Sequence, residues 1–201
     1  PTPWLPNAGS LLFFYDVEGQ PWGFDPADRG KWAVLHLPDL AEPSVPGAKD
    51  DFTASTTIPF RYLDLRRIDS PPSDERLEKM ENLKLTDPEF EVLQKVTESL
   101  FEQAPRHQVG GYPCPVQSDA MELESQLASH GLYCGDGTGY KDPRASALRP
   151  GAAEWRMLLQ FDSDDGLGLM WGDVGRLYFW VQEPAARKGD FSNSWLVLQC
   201  S

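Results

Sequence analysis

The chain has 201 residues and a mass of 22.5 kDa, long enough to bury roughly two thirds of its unfolded surface without a disulfide or metal staple. Eighteen Lys and Arg against thirty-one Asp and Glu leave a net charge of −13, which argues against docking on a nucleic-acid backbone or an anionic membrane, since both need clustered cations. Hydrophobic residues at 40% exclude a disordered chain, and three Cys with no close pair fit a reducing compartment rather than a disulfide framework.

From the N-terminus, Leu11–Tyr15 is a continuous apolar and aromatic run of buried-strand length. Turn chemistry follows at Asp16–Gly19 and Asp25–Asp28, and Lys31–Leu37 predicts a second strand. Pro38–Asp51 reads as a solvated loop, and Thr56–Leu63 predicts a strand that Pro59 confines to an edge or bulge. The middle predicts about three helices. Ser73–Leu83 has Ser73 as N-cap and Leu77, Met80 and Leu83 on one face. Thr86, Pro88 and Glu89 open the next, whose Phe90, Leu93, Val96 (or Thr97), Leu100 and Phe101 form a stripe expected to be buried before Pro105 stops the helix. The third covers Ser118–His130, with Gly131 at its C-terminal position.

After a turn-rich stretch from Gly135 to Gly151, strands return at Trp155–Phe161, Arg176–Val181 and Trp195–Gln199. Strands, then helices, then strands predict an α+β fold with antiparallel sheets rather than alternating α/β. An internal echo adds to this. Leu11–Asp16 followed by Trp22-Gly23 resembles Met157–Asp162 followed by Trp171-Gly172, each a strand, an acidic turn and a Trp-Gly step. The echo predicts partly duplicated β-units.

Several constellations bear on chemistry. His107, Cys114, His130 and Cys134 include a zinc-compatible His-x3-Cys spacing, but no C-x2-C is present and His130 sits where a helix should end, so structural roles are the better expectation. Cys114, between Pro113 and Pro115 ahead of the third helix, could pair with His107 as a nucleophile; a small buried hydrophobe is the simpler reading. Asp162–Gly166 reads as a hairpin turn rather than a calcium loop, because Gly166 falls on a ligand position and no Glu closes the loop. The glycine-rich stretches lack the Lys-Ser/Thr of a phosphate loop, and Trp171, Trp180 and Trp195 read as core. The surplus acids fall on turns, Asp16, Glu18, Asp25 and Asp28 in one β-unit and Asp162, Asp164, Asp165 and Asp173 in the other. They are expected to project outward and, if the units adjoin, to build a face that steers a basic partner.

Four stretches carry a family resemblance. They are His107–Pro113 running to Gln117–Asp119, the run LLQFDSDDGLGLMWGDVGRLYFWV from Leu158 to Val181, FSNSWLVLQCS from Phe191 to Ser201, and LLFFYDVEGQPWGFDP ending at Pro26. Together they resemble the YwqG-like family, a widespread domain of unknown function, over nearly the whole chain. The resemblance implies an α+β, partly duplicated fold and no established activity, catalytic residue or cofactor. Relatives encoded near bacterial polymorphic-toxin genes imply an immunity-type role. Family members usually carry an upstream Gly-, Pro- and Trp-rich segment; the chain here begins at Pro1 rather than Met, so such a segment is expected upstream.

The reading is therefore a single-domain, cytoplasmic, non-enzymatic interaction protein without a cofactor or catalytic residue. Its expected role is that of an immunity protein, with Asp162, Asp164, Asp165 and Asp173 covering the basic active site of a toxin such as a nuclease. The alternative is a ligand-binding protein, metal-binding protein or hydrolytic enzyme built on His107, Tyr112, Asp173 and Arg176. Cytoplasm follows from the absence of any apolar run of about 18 residues and of a secretory leader.

Overall fold

Strand-forming runs that are apolar at every position need cover on both faces, and those that alternate need it on one. Both kinds occur in the computed structural model, which describes residues 3–39, 58, 61–79, 82–100 and 105–201. β1 (Ser10–Tyr15) and β2 (Trp32–Leu37) form an antiparallel hairpin with Ser10 opposite Leu37 and Tyr15 opposite Trp32. A second antiparallel sheet has the order β3-β4-β5-β6, with β3 at Gln108–Val109, β4 at Trp155–Asp162, β5 at Arg176–Gln182 and β6 at Trp195–Gln199. Every residue of β6 is buried, and so are the five central residues of β5. The fold is α+β.

Pairing across the second sheet assigns its faces. Gln108, Gln160 and Tyr178 stand in one row, and Asp162, Arg176 and Gln199 in the next. This polar row face is covered by the chain around residues 106–118 and by α3 (Met121–Ser129), whose Gln126 accepts from the Trp155 indole at 2.7 Å. Leu159, Phe161 and Phe179 face the other way, toward the β1–β2 hairpin. There Phe13 meets Phe179 edge-on at 5.2 Å and Tyr15 meets Trp171 at 5.5 Å. A bulge between Met157 and Leu159 keeps both ends of β4 in register with these faces.

Both Trp-Gly steps pack on β6 or its end. Trp22 O accepts from Leu198 N at 3.0 Å and Gly23 O from the Trp195 indole at 2.8 Å, so the first step lies along the outer edge of β6. The second packs on the end of the same strand, where a Cβ on Gly172 would lie 2.9 Å from Cys200 Sγ. Gln20 ties the two connectors together, its amide donating to Met170 O at 3.2 Å and accepting from Gly172 N at 2.8 Å. The sequence echo thus corresponds to two hairpins clamped side by side.

The helices depart from expectation in detail. Ser73 does cap α1 (Asp74–Lys79), accepting from Arg76 N at 3.0 Å, but the most buried residue of that helix is Arg76 rather than Leu77, and Leu83 lies beyond it, half exposed. Met80 lies outside the described residues. Ahead of α2 (Asp87–Leu100) Thr86 and Glu89 pair as expected at its start, with Thr86 N donating to the Glu89 carboxylate at 2.8 Å. Its apolar stripe is only half covered: Leu93, Thr97 and Leu100 are partly buried, whereas Phe90 and Val96 are exposed. Short helical turns at Thr138–Lys141 (α4) and Ala145–Leu148 (α5) occupy the stretch read as turns, and α6 (Glu183–Ala186) follows β5. Most of the Pro38–Asp51 loop and of the Thr56–Leu63 strand lies outside the described residues; Ile58 and Arg61–Leu63 are not in a strand. Among the described residues no helix is long and apolar enough to cross a membrane.

Candidate functional site

His107, Asp162, Asp164 and Arg176 meet at the connector end of the β4–β5 hairpin, and the backbone there explains most of their contacts. Asp162, the last residue of β4, is buried, a correction to the outward acid expected of a turn. Directly opposite is Arg176, whose Nε lies 2.9 Å from Asp162 Oδ1 as an ion pair rather than a directed hydrogen bond. Burial works against the Arg176 charge, but the Tyr178 phenol and Asp162 outweigh it and hold its pKa above the ordinary value. The other carboxylate oxygen of Asp162 accepts from Arg106 N at 2.8 Å.

His107 stands beside this pair, its ring stacked on Phe161 at 4.4 Å. Nδ1 accepts from Asp162 N at 3.1 Å, so the neutral ring carries its proton on Nε2, which faces Asp164 Oδ2 at 3.2 Å. A catalytic histidine needs one nitrogen held by a carboxylate and the other free to take a proton. Here the second nitrogen is occupied by a backbone amide. The arrangement positions the Asp164–Leu169 turn and leaves no lone pair for general-base chemistry.

Cys114 fares no better as a nucleophile. Burial raises its thiol pKa despite the nearby Arg106 and Arg176 cations, and burial pushes Cys134 up to about 12. A thiol held protonated is not the nucleophilic form. The four residues of the zinc-compatible set, His107, Cys114, His130 and Cys134, each bond elsewhere. His107 bonds Asp162 and Asp164, and His130 Nδ1 lies 2.7 Å from Gln126 O. The Cys134 thiol donates to Leu132 O, while Cys114 donates its backbone N–H to Gln160 Oε1. Among the described residues no three His, Cys, Asp or Glu are grouped so as to hold a metal ion.

The surplus polar residues near His107 have a structural use that sequence reasoning missed. Three buried strand glutamines bind irregular backbone in place of a neighbouring strand. Gln160 accepts from Cys114 N and donates to Arg106 O; Gln199 accepts from Val116 N and Gln117 N and donates to Ser118 O; Gln108 donates to Gly110 O and Tyr112 O. Buried backbone must be hydrogen-bonded, and here side chains supply the partners. Tyr112 itself sits under the Arg76 guanidinium, 5.4 Å from its ring centre, and takes no part in the His107 network.

The acids divide. Asp162 and Asp164 turn inward, while Asp165 and Asp173 are exposed on the second connector. The Gln20 clamp holds the second connector, at Met170 and Gly172, against the first, whose Asp16 and Glu18 are also exposed. The connectors also expose apolar side chains, Val17 on the first and Met170 and Val174 on the second. Val174 has φ of 50°, a backbone conformation that strains a β-branched residue by about 1–3 kcal/mol. The two clamped connectors thus expose both acids and apolar side chains. Their spread over both connectors could be found in sequence only through the internal echo.

A family model described as a domain of unknown function, DUF1963, matches residues 1–200. A comparison with curated proteins gave no match.

Proposed function

The chain belongs to the DUF1963 family, and from that premise we propose that it is a non-enzymatic interaction protein that covers a basic partner with the acidic edge of its paired hairpins. The observation that carries the reading is the Gln20 clamp, which joins the first connector, with exposed Asp16, Val17 and Glu18, to the second, with exposed Asp165, Met170, Asp173 and Val174. Exposed apolar side chains together with charge are what a protein interface presents. Surface charge of one sign steers a partner of the opposite sign. The occupied nitrogens of His107 and the protonated Cys114 favour binding over catalysis. The YwqG-like resemblance, with relatives near toxin genes, makes the partner a toxin and the mechanism occlusion of its basic active site, as in a nuclease. Function would then be exerted in the cytoplasm, where such a toxin acts.

The test begins with affinity capture from the native host's lysate at low and high salt, with mass spectrometry of what is retained. A stoichiometric basic partner, released by salt, is expected. Replacing Asp165→Lys and Asp173→Lys together should slow its association about tenfold and flatten the salt dependence. A partner whose association rate and salt slope are unchanged in this double variant overturns the assignment of the edge.

A further inference from the structure

β3 is the outer strand of its sheet and pairs only with β4 among the described residues. Arg106 N donates to Asp162 Oδ2 and Gly110 N to Leu158 O, so residues 106, 108 and 110 turn their main-chain groups toward β4. Alternation turns those of His107 and Val109 the other way, and no described residue hydrogen-bonds them. A short bare edge is common and by itself only limits aggregation. This one differs because a cavity of about 830 Å³ lies against it, a volume within the roughly 300–1,000 Å³ of ligand sites.

The cavity floor is the apolar face of the sheet edge, Leu159 and Phe161, together with Phe13 of β1. Leu63 and Ile68 also line the cavity, on a stretch of chain that is not in a strand. Arg66 and Arg67 offset Asp64 and Asp69 in the lining, so the cavity is neutral within a molecule of net charge −13. At the His107 end the edge runs up to the Asp164 turn, which His107 touches at 3.2 Å and which exposes Asp165. Outward main-chain donors and acceptors at alternate residues match an extended peptide. The neutral apolar floor suits its alternate side chains, and the exposed carboxylate suits a cation at one end.

We propose that this edge binds an extended segment of a partner protein as an added strand. The segment pairs its main chain with His107 and Val109, sets alternate apolar side chains into the cavity, and carries a basic residue beside Asp165. The site goes beyond the acidic edge of the paired hairpins, and its test needs only the purified chain. Random linear peptides displayed on phage are selected on the full chain, with counter-selection on Val109→Pro, which removes the outward N–H while leaving the bonds to β4. Enriched peptides should alternate apolar residues and end in Lys or Arg. Their affinity should fall about tenfold or more on Val109→Pro and stay unchanged on Val109→Thr. Asp165→Lys should weaken them in low salt. N-methylation of the selected peptide should abolish binding at every second position only, a readout that holds even if Val109→Pro misfolds. The proposal is overturned by a selection that enriches nothing, by peptides indifferent to the position of N-methylation, or by a homodimer of the chain that Val109→Pro dissociates, which would give the edge to a second copy. Asp165 is common to both sites, so they are told apart by Val109→Pro and N-methylation, which leave Asp16, Glu18 and Asp173 untouched; failure of these leaves the host-partner result standing, and the reverse also holds.

Discussion

Glu124 of α3 shows how far a single residue can depart from its sequence appearance. In the run Met121–Ser129 it reads as one of several solvated acids, yet it is buried, with Oε1 held by the Tyr140 hydroxyl at 3.3 Å and Oε2 without a partner. Burial raises its pKa to about 7; Tyr140 lowers it somewhat, and Glu122, Glu75 and Asp119 push it further up. The folded protein therefore holds a proton that the unfolded chain releases near pH 4.5. Stability from this group is complete below that pH and is lost as pH rises through about 7. In Glu124→Gln the group cannot titrate. The variant should gain on the wild type by on the order of 3 kcal/mol between pH 4.5 and 8, as read by urea unfolding at each pH. A stability difference that stays flat over that range would sink the argument. Arg76 is a second such residue: its guanidinium is buried against Asp119, at 2.6 and 3.1 Å, and against Glu122 at 2.6 Å. The partners lie 43 and 46 residues away in sequence, and no local spacing announces them.

Elements were legible in proportion to the length of their patterns. The strands at Leu11–Tyr15, Lys31–Leu37 and Trp195–Gln199 lie where periodicity puts them, because burial and backbone bonding both act on the same residues; the helix expected over Ser118–His130 starts three residues later, at Met121, and ends at Ser129, just before Gly131. β3 escaped notice: two residues carry no period, and its place is set by the side-chain bonds of Gln108 and Gln160. The expected burial of the α2 stripe fails in part because amphipathicity tells which face is apolar, not what covers it. The contact between the first connector and β6 is equally tertiary and can be tested. Gly23 has φ of +77° and a Cβ there would lie 1.8 Å from Leu196 O, a backbone atom that cannot move aside. Gly30, at φ +94°, has open space around it. Gly30→Ala should cost about 1–3 kcal/mol for conformation alone, and Gly23→Ala clearly more, as urea midpoints would show. Equal losses would mean that the connector does not press on β6.

At the scale of the whole molecule, thirty-one acids face eighteen bases, and the compact state carries their repulsion. The buried pairs at Arg176 and Arg76 are shielded from ions, so added salt acts mainly on the surface excess. The melting temperature should therefore rise by several degrees as NaCl is raised from about 0.01 to 0.3 M, where the screening length shortens from about 30 Å to under 10 Å. A fall in melting temperature would show that surface attraction outweighs the net charge.

The chain by itself determined the α+β class, the antiparallel strands, the caps and the acid excess, because these follow from periodicity, local hydrogen bonding and composition. It also carried the two-unit echo, and with it the possibility of a shared acidic edge. Which acids reach solvent was decided only by tertiary structure. Asp162 pairs with Arg176 across a ladder, and Asp164 meets a histidine 57 residues earlier, while Asp165, one residue on, points out. The same holds for His107, whose proton is placed by a backbone amide 55 residues away. Pattern along the chain records what a residue prefers; the partner that satisfies a buried charge or a free lone pair is supplied by distant segments meeting in space.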